Sequence, residues 1–128
     1  MKNNFIPYPE ALALKELRFN EECLGYYGCD KKFNFNIVSK NEMLFLNSKL
    51  TVNAPLYLQT FKFFRDKYKL SSHCDLKNTS HIKNNYYFKI VNFSDYISED
   101  TTLIIDGFST YEEAELQSLK KLIELCKK

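Results

Sequence analysis

Residues 109–128 read STYEEAELQSLKKLIELCKK, and the reading of the whole chain starts from them. Thr110 is a good N-cap, because its hydroxyl can accept from a free backbone N–H of the first turn. Glu113 stands three residues on and reaches back, completing a capping box. Glu112, Glu113 and Glu115 lie near the positive end of the helix dipole, and Lys127 and Lys128 near the negative end. Leu116, Leu119, Ile123 and Cys126 follow 3-4-3 spacing and make one apolar stripe, which Leu122 widens. A helix with one apolar stripe needs a surface to lie on, and the rest of the chain must supply it.

Working outward, Thr101–Ile105 reads as a strand with Asp106-Gly107 as its exit. Tyr86–Phe93 is the strongest strand signal, rich in aromatic and β-branched residues. Ser72–Leu76 is a further strand, and the turn-formers of Asp75–Asn85 read as a loop. Upstream, Ala54-Pro55 opens a central helix that should end at about Leu70. Tyr57, Phe61, Phe64 and Tyr68 recur along it at 4-3-4 spacing, while Lys62, Arg65 and Lys69 share another face. Near the N-terminus, Pro7-Tyr8-Pro9 opens a helix running to Arg18, with Leu12, Ala13, Leu17 and Phe19 inward and Glu10, Lys15, Glu16 and Arg18 outward. Residues 23–27 and 32–38 then form a hairpin about the turn Gly28-Cys29-Asp30-Lys31. Met43–Leu46 reads equally as strand or helical turn.

The order α-β-β-α-β-β-β-α does not alternate singly, which disfavours a doubly wound parallel sheet. The expected fold is α+β: a single domain over residues 1–128, with three helices against one face of a mostly antiparallel sheet. The chain's 128 residues are enough to bury a real core. Hydrophobic residues make up 45% and charged residues 27%, so neither a disordered nor a fibrous chain is expected.

Eleven Phe, nine Tyr, sixteen Lys and twelve Asn stand beside only two Arg and no Trp. This is the signature of AT-rich codons, and it weakens any argument from Lys clusters. Net charge is +2, but residues 55–93 carry +5 and residues 94–128 carry −4. The bland reading is attraction within the fold; the functional one is partner steering. No stretch is apolar enough to span a membrane, and Met1–Asn4 runs into polar residues unlike a secretory leader. Cys23, Cys29, Cys74 and Cys126 are scattered, so a cytoplasmic setting with reduced thiols is expected.

Three blocks carry a resemblance. They are Pro7-Tyr8-Pro9-Glu10-Ala11-Leu12-Ala13-Leu14-Lys15-Glu16-Leu17-Arg18-Phe19-Asn20-Glu21 with Cys23 and Gly25-Tyr26-Tyr27; Phe61-Lys62-Phe63-Phe64-Arg65-Asp66-Lys67-Tyr68-Lys69-Leu70; and Thr110-Tyr111-Glu112-Glu113-Ala114-Glu115-Leu116 with Leu119-Lys120-Lys121-Leu122-Ile123-Glu124. Together they resemble a family of small uncharacterised proteins of gut Bacteroides-type bacteria and their phages. Phe63 stands where that family has a Trp, and Lys69 where it has a Gly, a change that alters how the helix ends. The resemblance implies a phage or mobile-element setting, with the host cytoplasm as the compartment, and brings no catalytic residues.

Chemical sites are weakly signalled. Cys23, Cys29, His73, Cys74, His81 and Cys126 lack the paired clips of a zinc site. Cys74 beside His73 would point to the opposite face of a strand, so it has no neighbouring base. Three scattered glycines cannot build a phosphate loop. No enzyme, cofactor or metal is expected. What remains is binding. The aromatic excess favours protein–protein contacts or self-association. The alternative is weak, sequence-tolerant nucleic-acid binding. In it Lys62, Arg65, Lys69, Lys83 and Lys89 would track phosphates and Tyr86 would stack on bases, helped by Tyr87 and Phe88 if these are exposed.

Overall fold

A computed structural model of the chain describes residues 4–35, 51–77, 85–93 and 102–127. The expected features at 36–38, Met43–Leu46, 78–84 (with His81 and Lys83), 94–101 and Lys128 lie outside the described residues. Two compact units divide the chain, Met1–Thr60 and Phe61–Lys128. The fold is α+β, and its strands pair antiparallel throughout the described residues. The strands form two three-stranded sheets, one in each unit, in place of the one sheet expected.

The first unit holds helix α1 (Tyr8–Glu16) and strands β1 (Gly25–Tyr27), β2 (Phe33–Phe35) and β3 (Val52–Ala54) in the order β2-β1-β3. The expected hairpin is present: Tyr27 faces Phe33 and Gly25 faces Phe35. Its turn closes with Lys31 N–H donating to the Gly28 carbonyl at 2.9 Å, and Lys31 takes a left-handed φ of 63°. Gly25 is needed for close approach, since a Cβ there would come within 2.5 Å of the Phe33 ring.

The inward face of α1 differs from expectation. Glu10, expected outward, is buried with Ala11 and Leu14, while Leu12, Ala13 and Leu17 are only half-buried. The reason lies at the helix end. Arg18 turns left-handed (φ 69°), Phe19 N–H donates back to the Leu14 carbonyl, and Arg18 N–H to that of Lys15. This Schellman closure folds Phe19 under the helix on the Leu14 side and selects that face for burial. Tyr27 Oη then donates to the Ile6 carbonyl at 2.7 Å, giving a buried phenol its partner.

Helix α2 (Tyr57–Tyr68) starts in the first unit and continues into the second. Tyr57 and Phe64 are buried as expected, Phe61 and Tyr68 are half-buried, and Phe63 joins the core. The helix stops at Tyr68, two residues earlier than expected. Lys69 alone makes the link, at φ 58°, and β4 (Leu70–Leu76) begins at once. The Lys69 carbonyl accepts from Phe93 N–H at 3.0 Å, which ties that corner to the end of β5 (Tyr86–Asn92).

Sheet order in the second unit is β4-β5-β6, with β6 at Thr102–Phe108. The Asp106-Gly107 pair, expected as an exit, lies inside β6. Tyr86 faces Phe108 while Tyr87 faces Asp106, so Gly107 is the extra residue of a β-bulge at φ 95°. Phe88 and Ile90 point to the side that helix α3 (Tyr111–Cys126) covers, and are 1% and 2% exposed. The expected N-cap is present: Thr110 Oγ1 accepts from Glu113 N–H at 3.1 Å. Glu113 reaches back one residue further than a capping box does, its Oε2 accepting from Ser109 N–H at 3.2 Å. Leu119, Leu122 and Ile123 are buried, but Leu116 and Cys126 are half-buried and the small Ala114 and Ser118 replace them in the core. Ser118 can be buried because its hydroxyl bonds that of Ser72 on β4. Among the described residues, no helix is long and apolar enough to cross a membrane.

Two backbone positions make opposite predictions from one cause. Lys69→Gly relieves a left-handed side-chain clash and should raise unfolding stability by about 0.5–1 kcal/mol. Gly107→Ala meets no neighbour within 4 Å yet forces an L-residue to positive φ, and should lower stability by about 1 kcal/mol or more. Urea unfolding of both variants checks the pair; a loss on Lys69→Gly would contradict the strain at that link.

Candidate functional site

Lys62 and Arg65 share one side of α2, as 3.6 residues per turn dictates, and Lys69 follows just past the helix end at positive φ. They enclose an acid. Lys62 Nζ lies 2.6 Å from Asp66 Oδ2, and Lys69 Nζ donates to the Asp66 carbonyl at 3.2 Å. The hydrogen bond from Lys62 holds the Asp66 carboxyl below its usual value, with the charges of Lys62, Arg65 and Lys69 adding to the effect. One unit of the basic face is therefore offset on the helix itself. Lys67 Nζ lies over Phe63 and Tyr68, 5.4 and 5.3 Å from their ring centroids, and is engaged with the aromatics.

Lys89 and Tyr86 do not share a surface. Strand alternation puts Tyr86 with Phe88 on the side facing α3, opposite Leu76. Lys89 lies on the other face, between His73 of β4 and Ile104 of β6. Phe88 is buried and unavailable for base stacking. Tyr87 shares the face of Lys89 but pairs across to Asp75 and Asp106, and Lys77 forms an ion pair with Asp106. Asp75 and Asp106 thus flank Tyr87 across the strands, and the Lys77 ammonium offsets the Asp106 charge.

A polar cluster lies beneath α3. Ser72 and Ser118 bond each other, with the Cys74 thiol beside them. Burial pushes that thiol up to about 11, with the Glu115 charge adding to the shift. At neutral pH it is protonated and a poor nucleophile. His73 faces away, its Nε2 3.9 Å from Asp75 Oδ2. Burial likewise raises Cys126 to about 11, and Cys23 to about 12, where the Glu21 charge contributes. Among the described residues, no three His, Cys, Asp or Glu side chains gather as metal ligands.

In the first unit a cleft of about 220 Å³ opens between the end of α1 and β3, edged by Lys15, Asn20 and Asn53. Its cation is already engaged, since Lys15 Nζ donates to the Thr51 carbonyl at 2.8 Å.

The feature that sequence reasoning missed is the outer position of β6, a strand it did expect. It is an outer strand of its sheet, and Ile104 is 56% exposed on the open face while Ile105 is 36% exposed on the α3 side. The run Leu103-Ile104-Ile105 lacks alternation, so both faces of the strand are apolar. That signal was present, but only strand order shows that the run lies at an edge. Set against known proteins, the chain matches no family model, no curated protein and no solved structure.

Glu115 gives a test of this side of the unit. Burial, then the charge of Glu112, lifts its carboxyl above the ordinary 4.5. A raised acid value means the folded state disfavours the charged form, so the penalty is present at neutral pH. It declines as pH falls through the raised value and vanishes below 4.5, where both states are protonated. Glu115→Gln should therefore raise the thermal midpoint at pH 7 and converge with the parent in acid. Equal midpoints at pH 7 would remove the burial account.

Proposed function

We propose that this protein is a small non-catalytic binding or accessory protein that acts through protein–protein contacts in a phage or mobile-element setting. The observation that carries the reading is the apolar outer strand β6, with Ile104 and Ile105 in water. An outer strand presents unpaired backbone N–H and C=O groups, and apolar side chains beside them add a hydrophobic gain on pairing. Strand addition by a partner uses both at once. The three sequence blocks that resemble proteins of gut Bacteroides-type bacteria and their phages support the setting. The four cysteines, held in no disulfide, fit the reducing host cytoplasm. The nucleic-acid alternative draws on Lys62, Arg65 and Lys69, and the Asp66 carboxylate held among them weakens it.

A photo-crosslinking phenylalanine derivative at position 104, expressed in the bacterial host, tests the reading. Irradiation should give a discrete protein adduct, while the same probe at exposed Lys120 on α3 should give none. No adduct from position 104 would sink the protein-contact reading.

A further inference from the structure

We infer that β6 is the seam of a two-fold symmetric pair, in which a second copy of the chain adds its own β6 antiparallel and Ile104 meets its own counterpart at the axis. This rests on the protein-contact reading above and names the partner.

The two outer strands of the second sheet are unlike. β4 carries Ser71, Ser72, His73 and Asp75, the polar and charged residues with which proteins discourage edge pairing. β6 carries Leu103, Ile104 and Ile105 in succession and confines its edge-breaking bulge to Gly107, near its end. Residues before the bulge form a regular ladder with β5. By composition one edge discourages pairing and the other favours it, and among the described residues no strand pairs with the outer side of β6.

Self-complementarity selects a second copy. In the antiparallel register centred on Ile104, Leu103 of each chain faces Ile105 of the other. Those two positions lie on the α3 side, because Leu103 pairs with Ile90 and Ile105 with Phe88. Ile104 meets Ile104 on the open face. Asp106 is the single charge of β6, and it falls opposite neutral Thr102, so no like charges oppose each other. A register centred on Ile105 would set Ile104 against Asp106 and Leu103 against the Gly107 bulge. Charge, apolarity and the bulge thus agree on one register.

The seam is short. A stable interface buries about 1,600 Å² in total, and five paired residues a side supply only part of that. The dimer should therefore be weak, with a dissociation constant of about 1–100 μM.

Sedimentation velocity on the full chain, from about 1 μM to about 1 mM, should show a monomer–dimer transition in that range. A residue on a two-fold axis meets itself, which makes a charge-swap test possible. Ile104→Lys and Ile104→Asp should each weaken the dimer more than about tenfold, through like charges placed face to face. An equimolar mixture of the two should restore dimers, now mixed. Ile104 is more than half exposed, and circular dichroism of each variant confirms that it folds. A monomeric parent chain, undiminished dimerisation of Ile104→Lys, or a mixture that stays monomeric would each overturn the inference. A monomeric parent that still gives a discrete adduct to a different protein from position 104 overturns self-pairing and leaves the protein-contact reading standing; loss of both results removes both.

Discussion

Phe88 and Ile90 on β5 leave water together with Leu119, Leu122 and Ile123 on α3, and the second unit depends on that exchange. Each such side chain contributes about 1.5–3 kcal/mol on burial, against an ordering cost of about 1–2 kcal/mol per residue of backbone. A three-stranded sheet with one apolar face is not stable uncovered. The helix must therefore form on the sheet, and its Thr110–Glu113 cap sets where it begins. Close approach explains why Ala114 and Ser118 hold core positions that larger residues were expected to fill. The Ser72–Ser118 bond satisfies the one hydroxyl that this packing would otherwise strand.

The same packing decides what stays outside. One face of the second sheet is spent on α3, so Tyr86, Phe88 and Ile90 are turned inward and Tyr87, Lys89 and Val91 outward. A residue set that looked continuous along β5 is divided by a period of two. The basic face of α2 is divided differently, by Asp66 within it. The division on α2 is local, one i,i+4 pair within a helix. The division on β5 also needs α3, which decides the face that is covered.

Strain is confined to links. Arg18, Lys31 and Lys69 each take positive φ: Arg18 just past the end of α1, Lys31 in the turn between β1 and β2, and Lys69 as the single residue between α2 and β4. At Arg18 the compensation is the burial of Phe19, and at Lys69 the hydrogen bond from Phe93. Few glycines serve this chain, so non-glycine residues occupy left-handed positions that glycine would hold without steric cost.

Much of the secondary structure was legible in the sequence. Capping chemistry, helical spacing and the β-rich run at Tyr86–Phe93 are local properties, and the three helices, the N-terminal hairpin and the strands of the second unit appear where these point. Ends were less legible: α2 yields to β4 at Lys69, and Gly107 sits within a strand, because ladder hydrogen bonds from a distant segment outweigh local turn preference. Of the candidate site, the helical grouping of Lys62 with Arg65 was readable from spacing, whereas Lys69 falls just past the helix end. The separation of Tyr86 from Lys89 and the outer position of β6 were not readable. Sequence by itself determined which segments are helices and strands and which residues are chemically able to act, since these depend on neighbours a few positions away. Tertiary structure alone decided which strands lie at an edge, which face α3 covers and which Ile residues stay in water, because pairing order and burial arise between segments far apart in the chain.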